Sequence, residues 1–140
     1  MDNKVLILRF IQAHFTGTLA TADPKGIPDA ATVDFAVDEK NLNLIFNTAE
    51  DSLKYRNLSL NPRVCVVFSD ANNVTIKYYG FAHLAEGADA EYLEGVYEKS
   101  LVHRVWKNAA NYKIFKITPV SVKYTNYTSN PPRIVELKFD

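Results

Sequence analysis

Between residues 16 and 48 the sequence leaves room for little except antiparallel strands. Asp23-Pro24-Lys25-Gly26 has Asp at the first turn position, Pro at the second and Gly at the fourth, a type I turn signal. Thr16–Ala22 before it is rich in Thr and small residues, and Pro28–Val37 after it reads as the return strand. Asp38-Glu39-Lys40-Asn41 makes a second polar turn. Leu42, Leu44 and Phe46 then alternate with Asn41, Asn43 and Asn47, which is strand periodicity. A three-stranded meander results, and tight turns of this kind can join only antiparallel neighbours.

A helix over about 3–13 precedes the meander, with Val5, Leu8 and Ile11 at helical spacing and Asp2 or Asn3 as its cap. After it, Thr48-Ala49-Glu50-Asp51 has a capping-box pattern, and Leu53, Asn57, Leu58 and Leu60 form the edge of a short helix. Asn61-Pro62 stops that helix, and strands follow at Val64–Ser69 and Val74–Ala85. Gly80 inside the second of these predicts a bulge or a close backbone approach. A third helix is expected over about Ala88–Leu101, with Leu93, Val96, Tyr97 and Leu101 on one face. Ile114, Ile117, Val120, Val122 and Tyr124 mark another long strand, with Pro119 as a bulge or edge point. Ile134–Phe139 is the last candidate strand. The order α-βββ-α-ββ-α-ββ predicts a mainly β chain with peripheral helices, its sheet of about six antiparallel strands closing into a barrel.

The 140 residues contain no repeat, low-complexity tract or linker-like stretch, so one domain over 1–140 is expected. With 47% apolar and 23% charged residues, wholesale disorder is excluded. Sixteen basic residues balance sixteen acidic ones, which argues against binding nucleic acid or acidic lipid by bulk charge. Cys65 is the only cysteine, so no intrachain disulfide and no cysteine zinc site can form; the run Val64–Phe68 reads it as a small buried hydrophobe. The apolar N-terminal stretch is interrupted by Arg9 and lacks a small-residue cleavage site, so no signal peptide is expected. No apolar run approaches a bilayer span, and a reduced cytoplasmic protein is the expectation. His14, His83 and His103 lack metal-ligand spacing, so no metal site is expected, and no Gly-x-Ser-x-Gly elbow or phosphate-binding glycine loop occurs. Lys77-Tyr78-Tyr79-Gly80-Phe81 has the interleaving of an RNA-binding strand, against the simpler reading of an ordinary barrel strand.

The segment Asn47–Leu58 carries the most chemical information. A strand ends in the Thr48 hydroxyl, a helix N-terminus follows, Ser52 adds a hydroxyl, and Lys54 and Arg56 add two cations. Unpaired helix N–H groups, the positive dipole end and those cations together make a phosphate cradle. Glu50 and Asp51 fit equally well with a plain capped helix, whose dipole they would compensate.

Three stretches make the chain resemble the FMN-binding split-barrel proteins related to pyridoxamine 5'-phosphate oxidase. They are TLATADPKGIPDAATVDFAVDE, then LIFNTAEDSLKYRNLSLNPRVCVVF, and YYGFAHL followed by a helix and FKITPVSVKY. The resemblance spans about His14 to Tyr127. It implies a six-stranded antiparallel split barrel in a homodimer, with FMN in a groove at the dimer interface. It also implies that Asn47, Thr48, Ser52 and Lys54, with Arg56 nearby, hold the flavin phosphate. Backbone groups of Thr32, Val33 and Asp34 would read the ring, Thr75 or Lys77 would approach it from the long strand, and Trp106 would stand at the ring side or anchor the interface. Leu53 and Thr32 stand where many members of the family carry Arg. The end of the chain, NPPRIVELKFD, does not reproduce the Arg- and Trp-containing segment that holds pyridoxal substrates, so that activity is not implied. The function implied is an FMN-dependent oxidoreductase acting on an unidentified small molecule, with no catalytic acid or base assigned. The alternatives are a non-catalytic flavin, haem or deazaflavin binding module of the same fold, and a barrel that binds single-stranded nucleic acid.

Overall fold

The protein is described from a computed structural model, which covers residues 2–100 and 111–140. Helix α1, Asn3–Ala13, starts at Asp2, whose carboxylate accepts from the N–H groups of Lys4 at 2.7 Å and Val5 at 3.4 Å. Its fully buried stripe is Ile7 and Ile11, one turn apart, with Leu6, Leu8 and Phe10 partly buried against the core beside them. Strands β1 (Thr16–Ala22) and β2 (Pro28–Asp34) form the expected hairpin around Asp23–Gly26. Gly26 closes this turn with φ 82°, a conformation that favours glycine. Asp23 anchors the turn by accepting from the N–H groups of Lys25 and Ile27.

The return strand is not continuous. It breaks at Phe35, whose N–H turns to the Phe15 carbonyl at 2.9 Å, and resumes as β3, Ala36–Val37. β2 pairs with β1, whereas β3 pairs with β4, Leu44–Ala49. β4 pairs with the long β7 (Tyr112–Asn126), β7 with β6 (Val74–Leu84), β6 with β5 (Arg63–Ser69), and β5 with β1. With 28–37 taken as one bent strand, six antiparallel strands close into a ring that is split where that strand changes partner. β8, Arg133–Lys138, is an added strand on β7.

The ring interior is filled by Leu19, Phe35, Leu44, Phe46, Val66, Phe68, Ile76 and Ile117, all essentially inaccessible. Phe35 packs edge-on against both Phe46 and Phe68, so the residue at the break also seals the core. Tyr78 is buried among them, and its hydroxyl reaches the carbonyls of Leu42 at 2.7 Å and Ile117 at 3.1 Å. Burial pushes this phenol well above its ordinary titration range. Of the KYYGF segment, Tyr78 and Gly80 therefore belong to the core, and only Lys77, Tyr79 and Phe81 face outward.

Gly80 and Pro119 explain a change of parity in β7. Gly80 faces Pro119 while Tyr79 faces Ser121, so Val120 is an extra residue on the β7 side. Phe115 and Ile117 point inward before the bulge, and Val122 and Tyr124 after it. Val120, one of the residues that mark this strand in the sequence, is exposed. The bulge also marks the place where β7 leaves β4 and takes up β8. A proline, which has no N–H to donate, suits that junction.

Helix α2, Leu53–Leu60, packs against β1 and β4 through Asn57 and Leu58; helix α3, Gly87–Ser100, packs outside the ring through Leu93 and Tyr97. Gly80→Ala should destabilise the fold by about 1–3 kcal/mol, because its Cβ would lie 2.3 Å from the Thr118 carbonyl oxygen. A urea titration should show a lower midpoint with an unchanged slope.

Candidate functional site

The helix N-terminus of interest begins later than the capping-box pattern predicts. α2 starts at Leu53 and its cap is Ser52, whose hydroxyl accepts from the Tyr55 N–H at 3.1 Å. Thr48 lies inside β4, 4% exposed, with its hydroxyl 2.9 Å from that of Ser52. The pattern misleads because Thr48 still has strand partners: it pairs with Lys113, and Glu50 donates its N–H to the Asn111 carbonyl. Thr48 is thus the support of the cap rather than the cap.

This arrangement leaves a small set of free donors. The N–H groups of Leu53 and Lys54 make no hydrogen bond among the described residues. Lys54 is half-buried and has no carboxylate partner among them. It lies three and four residues before Asn57 and Leu58, so it shares the helix face turned toward the barrel. Asn57, also on that face, donates to the Thr21 hydroxyl at 3.0 Å and ties α2 to β1. Arg56, two residues on, projects from the opposite side. There it lines a cleft of about 320 Å³ with Glu50, Asp51, Ser52, Tyr55 and Ser59. The two cations read together in the sequence therefore serve different surfaces. Glu50 is engaged by Lys113 at 3.5 Å, which removes one of the two carboxylates that would oppose an anion here. Leu53 is 50% exposed and contributes only its backbone.

Thr32, Val33 and Asp34 lie on β2, on one lip of the split. Among the described residues β2 has β1 as its only strand partner, so its other edge carries backbone N–H and C=O groups with no ladder there. At the end nearest the break, the Asp34 carbonyl accepts from the Tyr97 hydroxyl at 3.1 Å. The opposite lip is β4, ending in Asn47 and Thr48 and continuing into α2. The open edge of β2 and the N-terminus of α2 thus border the same gap.

Thr75 and Lys77 do not reach it. Thr48 faces Lys113 on β7, whereas Lys77 faces Lys123, ten residues further along. At about 3.3 Å per residue this is about 33 Å of strand. Instead, Lys77 belongs to a row across the outer face of the sheet: Thr32, Thr18, Val67, Lys77, Lys123 and Glu136 are successive cross-strand partners. The next row runs Ala30, Ala20, Cys65, Tyr79, Ser121 and Lys138. Burial raises the Cys65 thiol pKa, opposed by the charge of Lys77 and by the Tyr79 side chain. Cys65 is only half-buried, on this outer face and not in the core. Trp106 and His103 lie outside the described residues. His83 meets the Thr118 hydroxyl at 3.2 Å, and the His14 ring lies tilted against Phe10 with ring centres 4.6 Å apart. Among the described residues no three His, Cys, Asp or Glu gather to hold a metal, and no helix is long and apolar enough to cross a membrane.

Sequence reasoning missed Tyr97 and Lys123. Tyr97 looked like one more apolar contact of α3, and Lys123 emerges only from the register of β6 on β7.

Comparison with known proteins follows this geometry closely. A family model described as pyridoxamine 5'-phosphate oxidase matches residues 6–126. A search of curated proteins finds no match. Among solved structures, general stress protein 26 from Bacillus anthracis str. Sterne superposes with a TM-score of 0.73 at 25% identity, covering 98% of this chain and 100% of its own. A heme-binding protein from Mycobacterium smegmatis gives 0.78 at 18% identity over 99% of this chain, which spans 59% of that protein's length. An F420 reductase gives 0.65 at 21% identity, covering 81% of this chain and 93% of its own. At these identities the superpositions establish the shared split-barrel fold.

Ser52→Ala should cost about 1 kcal/mol through loss of the α2 cap. Thermal unfolding would show it as a drop of a few degrees in Tm.

Proposed function

Because the chain belongs to the pyridoxamine 5'-phosphate oxidase family, we propose that it is an FMN-binding flavoprotein, active as a homodimer in oxidation or reduction of a small molecule. The observation that carries this reading is the α2 N-terminus: two unpartnered N–H groups beside a half-buried, unpaired Lys54, opening on a gap whose other lip is the unladdered edge of β2. These residues fit a flavin mononucleotide. Lys54 and the N–H groups of Leu53 and Lys54 would hold the phosphate. Thr48 and Ser52, bonded to each other, would keep the helix end in place. Backbone groups of Thr32 and Val33 would read the polar edge of the ring, a task for which fixed N–H and C=O groups need no particular side chain. Bound there, the flavin supplies hydride and electron transfer. The protein binds and orients it and keeps water from one face.

The distance between the two clusters supports the homodimer of this reading. Thr75 and Lys77 can serve the same ligand as Lys54 only if a second copy brings its β6 to the gap. The outer sheet face suits such an interface, with small residues Thr18, Ala20, Ala30 and Thr32 beside half-buried Val67 and Phe81 and a Tyr79 that is 45% exposed.

A second reading, a binding module for haem or a deazaflavin without turnover, is favoured by one feature. Leu53 places an apolar side chain, not a cation, in the first turn of α2, so among the described residues an FMN phosphate has Lys54 as its only cation on that face. The fold shared with the M. smegmatis protein and the F420 reductase is compatible with it.

Lys54→Ala should weaken FMN by about 1–3 kcal/mol in a fluorescence titration, while Arg56→Ala, on the far face, leaves it near wild type. Equal FMN affinity for Lys54→Ala and wild type removes the phosphate assignment. Tyr79→Glu should shift the protein toward monomer in sedimentation velocity. An unchanged sedimentation coefficient would exclude the outer face as the interface.

A further inference from the structure

A hydrogen bond crosses the split in the ring. The peptide between Asp34 and Phe35 points its N–H back at the Phe15 carbonyl, 2.9 Å away. In a trans peptide the C=O points the opposite way, so the Asp34 carbonyl leaves β1 and faces the open edge of β2. The Tyr97 hydroxyl donates to it at 3.1 Å. Tyr97 comes from the other side of the split. It is 4% exposed and shares a buried cluster with Leu93, Ala36 of β3, Ile45 of β4 and Ile114 of β7. Asp34 is also held to β1 by its carboxylate, which accepts from the Thr16 hydroxyl at 2.7 Å. One residue is thus fixed to β1 through its side chain and to α3 through its carbonyl. A phenylalanine would fill the same apolar space as Tyr97, so what the hydroxyl adds is the bond across the split.

The two lips carry different parts of the gap. Alternate residues of a strand present their N–H and C=O groups to the same edge, so Thr32 shares the open edge with Asp34, two residues or about 7 Å away. The opposite lip, β4, leads through Thr48 and Ser52 to the N-terminus of α2 and Lys54. Because α3 is seated on β3, β4 and β7, the Tyr97 bond fixes the β2 edge relative to that lip. We propose that Tyr97 is a positioning residue for the ligand in the gap: its hydroxyl holds the β2 edge at the spacing at which Thr32 and the cradle at Lys54 engage one flavin mononucleotide together. The assignment rests on the flavin reading and adds to it the group that sets the distance between the ring edge and the phosphate cradle.

Tyr97→Phe keeps the packing and removes the bond. Hydrogen exchange of the ligand-free protein reads the tie directly: Tyr97→Phe should speed exchange about 5-fold across Pro28–Asp34 and leave β5 and β6 unchanged. In a titration with FMN, Tyr97→Phe should weaken binding about 5-fold and shift the long-wavelength absorption band of the bound flavin, whereas Lys54→Ala weakens binding without that shift. The two losses should couple. Lys54→Ala costs less affinity in the Tyr97→Phe background than in wild type, since cradle and ring edge no longer reach one ligand together. A tyrosine that only anchors α3 gives additive losses and an unshifted band, and that result overturns the proposal. Unchanged FMN affinity in Tyr97→Phe, or unchanged exchange across Pro28–Asp34, overturns it as well. Failure of the flavin reading has its own signature: a wild-type protein that takes up no FMN, with exchange still faster in Tyr97→Phe, overturns the cofactor assignment and leaves the tie across the split standing.

Discussion

The structure depends on one strand that serves two neighbours. Residues 28–37 satisfy β1 along one part of their length and β4 along the other, and the exchange takes place at Phe35. Backbone polar groups must find partners, so a strand that leaves one neighbour before reaching the next opens a gap with an unpaired edge. Here the Phe35 side chain fills the barrel centre at the same point, which holds the break in register while the ring stays packed. The gap is therefore a product of how the ring closes, and both candidate elements for ligand binding, the β2 edge and the α2 N-terminus, inherit their positions from it.

Charge is distributed in keeping with this architecture. The chain is neutral overall, yet among the described residues Lys54 has no carboxylate partner at the gap, and Lys77 and Lys123 have none on the outer face. By contrast the Lys113–Glu50 and Lys116–Asp89 pairs are largely solvent-exposed and worth little to stability.

Much of the fold was legible in the sequence because its signals were local. The Asp23–Gly26 turn, the alternation at Leu42–Phe46, and Gly80 and Pro119 as separate bulge points each encode a backbone event within a few residues. The break at Phe35 was not legible, since nothing in Pro28–Val37 marks a change of strand partner and the cause is closure of the whole ring. The same limit applied to the site. The segment Asn47–Lys54 could be read as a strand meeting a helix, but its cap was placed at Thr48, because the sequence does not show that β7 still pairs with that residue. Lys54 and Arg56 read as two cations within about a turn, and the burial of Asn57 and Leu58 fixes which of them turns inward. The resemblance brought Thr75 or Lys77 to the flavin ring, and only the register of β7 places them some ten residues of strand from Thr48.

The most direct measurement is the visible absorption spectrum of the purified protein, recorded before and after addition of FMN and then of dithionite. The account predicts a protein-bound flavin spectrum, present on isolation or acquired on titration, that bleaches on reduction. A protein that neither carries nor takes up FMN would contradict it.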